Sequence, residues 1–112
     1  MAGSFWSHLI HSAKQRNLEF TITEKETWRL FLKQKRKCAI SGVELQFAQN
    51  YMKDHASQTA SIDRIDCSKG YIPTNIRWIH KNINIMRNTT PDQQFLEWCR
   101  IITEYQSSQG VK

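Results

Sequence analysis

Residues 61–84, SIDRIDCSKGYIPTNIRWIHKNIN, constrain this chain more than any other segment. Two stretches, about 60–66 and 72–79, alternate apolar with polar residues and are separated by a Ser-Lys-Gly-Tyr turn, so both are predicted to be strands. A short helix is expected over about 81–88. The segment therefore predicts the order strand, turn, strand, helix, with the carboxylate of Asp63 on the first strand and the amide of Asn84 on the helix.

Helices are predicted on both sides of this segment. Residues about 3–16 form an amphipathic helix, because apolar side chains recur at helical spacing: Trp6, Leu9, Ile10 and Ala13. Thr23 and Glu26 have the spacing of a capping box and predict the start of a second helix. Thr90-Pro91-Asp92 predicts the start of the last helix, with proline at its first position. That helix is expected to turn its apolar residues inward: Phe95, Leu96, Trp98, Cys99 and Ile102.

Residues 38–59 are predicted to be a turn, a strand and a loop. CAISG (38–42) is typical of a tight turn, and the alternation of Val43, Leu45 and Phe47 predicts a short strand. Residues 48–59 lack periodicity and are expected to form a flexible loop. The fold class is therefore α+β, in one small domain. Residues 1–37 form an N-terminal helical region, 38–106 the core with the C-terminal helix, and 107–112 a frayed tail.

Composition limits the partners that this chain is expected to have. Its 112 residues fit one domain, and 16 Lys and Arg against 10 Asp and Glu leave a net charge of +6. That sign favours a polyanion such as nucleic acid. Because the sequence has no long apolar run, no membrane-spanning segment is expected. Three cysteines without a CxxC pair fit a reducing compartment, so a cytoplasmic location is expected.

The ordered set Asp63, Ser68-Lys69-Gly70, Asn75 and Asn84 resembles the ββα-metal core of HNH endonucleases. The chain is most similar to a phage and bacterial subgroup with the pattern SxDRIDxxKGY…NIxWxHKxIN, preceded by a C-A-x-[ST]-G turn. The similarity extends through CAISGVEL (38–45) and QFLEWC (94–99), so it covers about residues 38–100. The resemblance implies a ββα-metal fold that hydrolyses DNA phosphodiester bonds with one divalent metal.

The resemblance also implies roles for individual residues. Asp63 and Asn84 would hold the cation, most readily Mg²⁺ with Mn²⁺ as an alternative, because these ions prefer oxygen ligands. Asn75 would brace the loop after the turn. Basic residues near the site would contact phosphates without reading sequence: Lys69, Arg77, Lys81 and Arg87. RNA stays open as a substrate. A homodimer also stays open, because a domain of this size recognises few base pairs alone.

Arg64 departs from the family pattern, which has the general-base histidine directly after the metal-ligand carboxylate. A guanidinium has no lone pair to accept a proton, although it can clamp a phosphate. Three explanations stay open. His80 could serve as the base. The water could instead be activated by the metal or the substrate phosphate. The site could also be degenerate and only bind.

Competing interpretations follow from the same residues. His80 could be a packing residue beneath the Cys38 turn. A structural zinc site is not expected, because only Cys38 and His80 remain of the four ligands that it needs. Asp54-His55 spells the expected Asp-His pair but lacks a surrounding strand. The rival to an endonuclease is a non-catalytic nucleic-acid-binding module on the same fold, and a third alternative is an antitoxin or adaptor that binds protein.

Overall fold

The computed structural model describes residues 1–110. This part of the chain forms five α-helices and one two-stranded antiparallel sheet. The elements are, in chain order, α1 (Gly3–Gln15), α2 (Glu24–Lys33), α3 (Tyr51–Asp54), β1 (Ala60–Arg64), β2 (Ile76–His80), α4 (Lys81–Arg87) and α5 (Asp92–Ser108). Single 3₁₀ turns occupy His55–Ser57 and Pro73–Asn75. The protein is thus a small α+β domain, as the sequence predicts.

The core lies between the sheet and the two N-terminal helices. Trp78 on β2 is fully buried, and its indole Nε1 donates to the carbonyl of Thr27 on α2 at 2.9 Å. Phe5 of α1 stacks on the Trp78 ring with centroids 5.8 Å apart, and Phe31 of α2 meets the same ring edge-on at 5.3 Å. Such aromatic pairs stabilise a core beyond the area that they bury. Trp78 therefore fixes β2 against both helices.

The N-terminal predictions are confirmed. α1 covers nearly the whole predicted range and buries Phe5, Leu9 and Ala13. α2 begins with the predicted capping box, in which Glu26 N donates to Thr23 Oγ1 and Thr23 N donates to Glu26 Oε1, both at 3.1 Å. Each side chain thus satisfies a backbone donor that the helix leaves unpaired.

Residues 38–59 differ from the prediction in two ways. The expected strand over Val43–Phe47 is absent from the described structure; a single bridge joins Lys37 and Glu44, and Leu45 is buried. The expected flexible loop contains α3, where Asn50 Oδ1 accepts from the backbone of Lys53. Local hydrogen bonding by Asn50 organises a turn that hydrophobic periodicity does not reveal.

The two strands are shorter than predicted. β1 ends at Arg64, and residues 73–75 form a 3₁₀ turn before β2, so the register pairs Ala60 with His80 and Asp63 with Arg77. α4 agrees with the predicted short helix. The helix α5 also forms, but it begins at Asp92 with Pro91 just before it, and no side-chain cap is made.

The inward-facing prediction for α5 is wrong. No residue of this helix is buried, and most of its apolar side chains are exposed. The periodicity that predicts the helix does not reveal whether another element is available to cover its apolar side, and within residues 1–110 none covers it. None of the described helices is both long enough and apolar enough to cross a membrane.

Candidate nucleic-acid interface

One cavity of about 290 Å³ brings together three of the nine candidate site residues that the sequence singles out: Asp63, Arg64 and Asn84. Asp63 and Arg64 reach it from the end of β1, and Asn84 reaches it from α4. The remaining lining residues are Arg16, Ile62, Cys67, Tyr71, Asn88 and Thr89. Because α4 packs on both strands, side chains that are 20 positions apart in sequence meet at one concave surface.

Asp63 is the centre of a buried ion-pair network. Its Oδ2 accepts from Arg77 Nε at 2.8 Å across the sheet, and its Oδ1 accepts from Arg87 Nη2 at 2.5 Å. Arg77 also makes two hydrogen bonds to Asp92 at the start of α5, at 2.6 and 2.7 Å. Two carboxylates and two guanidiniums thus neutralise one another inside the domain, and Asp63 itself is only 4% exposed.

The ion pairs of the network act on the pKa values of its two partly buried members, Arg77 and Asp92. The hydrogen bond from Arg77 lowers the pKa of Asp92 below its usual value, against a weaker opposing effect of burial. Burial acts to lower the pKa of Arg77, but its hydrogen bonds to Asp92 and Asp63 raise the pKa more, so the net shift is upward. Both shifts favour the charged forms of Arg77 and Asp92.

The chemistry of Asp63 decides whether a divalent cation fits this cavity. Asp63 and Asn84 offer the carboxylate and amide oxygens that Mg²⁺ prefers. Each oxygen of Asp63, however, already accepts from a guanidinium, and the two positive charges of Arg77 and Arg87 would repel a cation beside them. Within residues 1–110, no cluster of three His, Cys, Asp or Glu side chains could hold a metal either. In this arrangement the residues do not fit a resident divalent cation.

Arg64 both stabilises the turn after β1 and lines the cavity. Its Nη1 donates to the carbonyls of Cys67 and Lys69, at 2.7 and 2.9 Å, and so holds the turn that follows β1. Its guanidinium carbon lies 5.8 Å from the centre of the Tyr71 ring, within the range of a cation–π contact. In the described structure its Nε and Nη2 donate to no protein acceptor, and Arg64 lines the cavity.

Arg16 adds a second guanidinium at the same ring. This residue follows α1, and its Nη2 donates to the Tyr71 hydroxyl at 2.9 Å. Its guanidinium carbon is 6.0 Å from the Tyr71 ring centre. Since the charge of Asp63 is neutralised within the ion-pair network, Arg16 and Arg64 make the cavity electropositive.

Asn75 fixes the loop between the strands. This buried side chain accepts from the backbone of Asp66 at 2.8 Å, and its amide nitrogen donates to the carbonyls of Asp66 and Gly70 at 3.0 and 2.9 Å. Asp66 adds a turn of its own by accepting from the hydroxyl and backbone of Ser68. The hydrogen bonds from Ser68 lower the pKa of Asp66. Asn75 thus braces the loop that carries Cys67 and Tyr71 to the cavity.

His80 lies away from the cavity. It ends β2, and its Nδ1 accepts from the backbone of Asn82 at 3.1 Å, which caps α4. Its backbone nitrogen donates to the thiol sulfur of Cys38 at 3.4 Å, as does that of Ser41. Burial acts to raise the pKa of Cys38, but these hydrogen bonds outweigh it and the net shift is downward. His80 is not among the cavity residues, so the structure does not bring the sequence-derived base candidate to Asp63.

The four predicted phosphate-contacting residues separate into two groups. Lys69 is exposed on the turn, and Lys81 is partly exposed and donates to the carbonyl of Ala56. The expectation for Arg77 and Arg87 needs correction, because both are used in the internal network and Arg87 is 1% exposed. The other candidate pair, Asp54 and His55, lies at the α3 turn, outside the cavity.

Sequence patterns do not point to two residues of the cavity and one residue of the ion-pair network. Arg16 lies 47 positions before Asp63, and it reaches the cavity only because α1 packs beside it. Tyr71 has no feature in the sequence beyond its place in the Ser-Lys-Gly-Tyr turn. Asp92 has the pattern of a helix start and nothing more, although its pairing with Arg77 ties α5 to the sheet.

Comparisons with known proteins leave the motif without outside support. No protein-family model, no curated protein and no solved structure matches this chain.

Proposed function

We propose that this protein binds the phosphodiester backbone of nucleic acid in the cavity between β1, α4 and the end of α1, on a fold of the HNH type that its sequence resembles. One observation carries the proposal. Arg16 and Arg64 come from distant parts of the chain to one concave site with Asn84, while the only carboxylate in that site is neutralised by two internal guanidiniums. Such a site favours an anion.

The side chains suit a phosphate group. Arginine presents planar, always charged donors that match two phosphate oxygens at once. Arg64 is held in place by its bonds to the Cys67 and Lys69 carbonyls, so little conformational entropy is lost when its other nitrogens bind. The net charge of +6 adds long-range attraction toward a polyanion.

A second candidate function is hydrolysis of the bound phosphodiester, as in an HNH endonuclease that uses one divalent metal. Its specific support is that Asp63 and Asn84, the two oxygen donors that the resemblance implies, line the same cavity as Arg64. The pairing of Asp63 with Arg77 and Arg87 weighs against it. Hydrolysis therefore stands second to binding.

The first test measures binding in EDTA. Fluorescence anisotropy would follow labelled duplex DNA, single-stranded DNA and RNA. We expect the parent protein to bind, and we expect Arg64→Gln to weaken binding about tenfold, as for the loss of one phosphate clamp. Arg29→Gln is the matched control, because Arg29 is exposed on α2 and lines a different cavity. Equal affinity of the parent and Arg64→Gln would contradict the assigned site.

The second test separates binding from cleavage. Supercoiled plasmid would be incubated with the protein and Mg²⁺ or Mn²⁺, with EDTA as the control. Binding without cleavage supports the non-catalytic function. Metal-dependent nicking that Asn84→Ala abolishes supports the endonuclease; this variant is used because Asn84 is outside the ion-pair network, so its loss leaves that network intact. A protein that neither binds nor cleaves would overturn both functions.

A further inference from the structure

The helix α5 extends from the body of the protein, and within residues 1–110 no other element buries its apolar side. None of its residues is buried, and Asp92 in its first turn joins it to the sheet through Arg77. Large apolar side chains along it are 40–59% exposed: Leu96, Trp98, Ile101, Ile102 and Tyr105. The molecule is accordingly elongated, measuring 46 × 30 × 26 Å. Because soluble proteins rarely expose such a patch without a use, this surface needs a partner.

Four apolar residues of α5, of which Phe95 is partly buried and the other three are exposed, have the spacing of a helix–helix seam. Phe95, Trp98, Ile102 and Tyr105 follow one another at intervals of three, four and three residues. This is the a/d pattern by which one helix packs along another. We call these four residues the α5 seam. The pattern selects an α-helical partner over a sheet edge or an extended peptide.

The distribution of charge on α5 excludes some classes of partner for the seam. Arg100 pairs with both Glu97 and Glu104, three and four residues away, on the side of the helix opposite the seam. The positions that flank the seam carry no charge: Cys99, Ile101, Gln106 and Ser108. A neutral apolar strip offers nothing to a nucleic-acid phosphate or a charged peptide. It can meet an identical strip without like-charge repulsion.

We propose that the protein forms a homodimer in which the α5 seams of two copies pack against each other across a two-fold axis. A symmetric dimer uses the same patch on both copies, which requires a self-complementary surface of this kind. A 17-residue helix offers a strip only about 25 Å long. This strip is smaller than a standard interface, which buries about 800 Å² on each partner, so we expect the dimer to be weak and reversible. The inference does not depend on the proposed function.

Analytical ultracentrifugation tests the dimer directly. The parent is expected to change from 13.2 kDa toward twice that mass as its concentration rises from about 1 to about 200 µM. Ile102→Glu introduces a charge into the seam and is expected to stay monomeric throughout. Thr103→Glu is the matched control, because it adds the same residue one position away, off the seam, and is expected to dimerise like the parent.

Three results would overturn the proposal. The parent could stay monomeric at the highest concentration, or Ile102→Glu could dimerise as strongly as Thr103→Glu. A monomeric parent that co-sediments with phosphatidylcholine vesicles, when Ile102→Glu does not, would assign the seam to a lipid surface. Neither substituted side chain is buried, so both variants are expected to keep the parent's far-ultraviolet circular dichroism.

Discussion

Among single residues, Asp63 fits two different roles, that of a metal ligand and that of an ion-pair partner. The order of the motif suggests a metal ligand, whereas the contacts make it the hub of a buried network with Arg77 and Arg87. A carboxylate that serves only as a metal ligand can be removed from the metal-free protein without leaving a buried charge uncompensated. A carboxylate that pairs buried guanidiniums cannot, because its loss leaves their charges uncompensated.

The variant Asp63→Asn tests whether Asp63 stabilises the folded protein through its ion pairs. We expect the free energy of unfolding to fall by about 3 kcal/mol, the usual cost of removing one partner from a buried ion pair. Urea denaturation at pH 7 measures it. Asp66→Asn is the control, since Asp66 is an exposed carboxylate three residues away that bonds only within its own turn. If Asp63→Asn were as stable as Asp66→Asn, the structural role of the network would be wrong.

Part of the candidate site could be predicted from single residues. The order of residues along the chain points to Asp63, Arg64, Asn75 and Asn84. The pairing of Asp63 with Arg87 could not be predicted, because it depends on how α4 packs on β1. The distance of His80 from the cavity follows from the strand register, which the hydrophobic pattern did not fix.

Among the elements, the loop between β1 and β2 packs closely against the N-terminal region, and this packing requires glycine at position 70. A Cβ atom on this residue would lie 2.4 Å from the carbonyl oxygen and 2.7 Å from the nitrogen of Glu19. The segment before α2 approaches so closely because Tyr71 N donates to Glu19 O, and Thr21 N donates to Tyr71 O, at 2.7 and 3.0 Å. The glycine of the Lys-Gly-Tyr turn is therefore needed for contact with the N-terminal region.

Gly70→Ala is expected to destabilise the protein by about 1–3 kcal/mol, the range for overpacking a close contact. The clash is with backbone atoms, which cannot rotate aside. Gly3→Ala is the control, because nothing lies within 4 Å of its added Cβ. Thermal unfolding of both variants gives the comparison. A melting temperature of Gly70→Ala equal to that of Gly3→Ala would show that the two segments do not touch as described.

The helices whose sequence patterns involve residues a few positions apart were largely predictable. The capping box at Thr23 and the periodicity of α1 depend on neighbours a few residues apart, and both predictions hold. The strand expected over Val43–Phe47 failed because alternation alone does not supply a pairing partner. The burial expected for α5 is likewise wrong, because the periodicity of a helix does not supply a second element to cover its apolar side.

The joint between α5 and the sheet has a predicted pH dependence. The pKa of Asp92 is lower in the folded protein than its usual value near 4. Its pairing with Arg77 therefore contributes full stability above about pH 4 and loses it as the pH falls through the lowered folded pKa. Urea midpoints at pH 7 and at about pH 3 measure this loss. It should be smaller in Asp92→Asn, and an equal loss in the two proteins would contradict the prediction.

At the scale of the whole molecule, charge is unevenly distributed. The chain carries a net +6, but α5 contains three carboxylates and one guanidinium. The positive charge therefore resides on the body, where the cavity lies, and the acidic helix extends away from it. Nucleic acid is attracted to the body, while the neutral α5 seam stays available for a second copy.

This separation predicts how binding responds to salt. If phosphates are bound through Arg16 and Arg64, the logarithm of the association constant falls linearly with the logarithm of salt concentration, by about 0.9 for each phosphate neutralised. The double variant Arg16→Gln/Arg64→Gln is expected to reduce that slope by about 2, since it removes two contacts. Ile102→Glu, which alters only the α5 seam, is expected to keep the slope that the parent shows as a monomer. Fluorescence anisotropy titrations at several salt concentrations measure this slope for each variant. A double variant with the parental slope would mean that nucleic acid contacts another surface and that the cavity is not the phosphate-binding site.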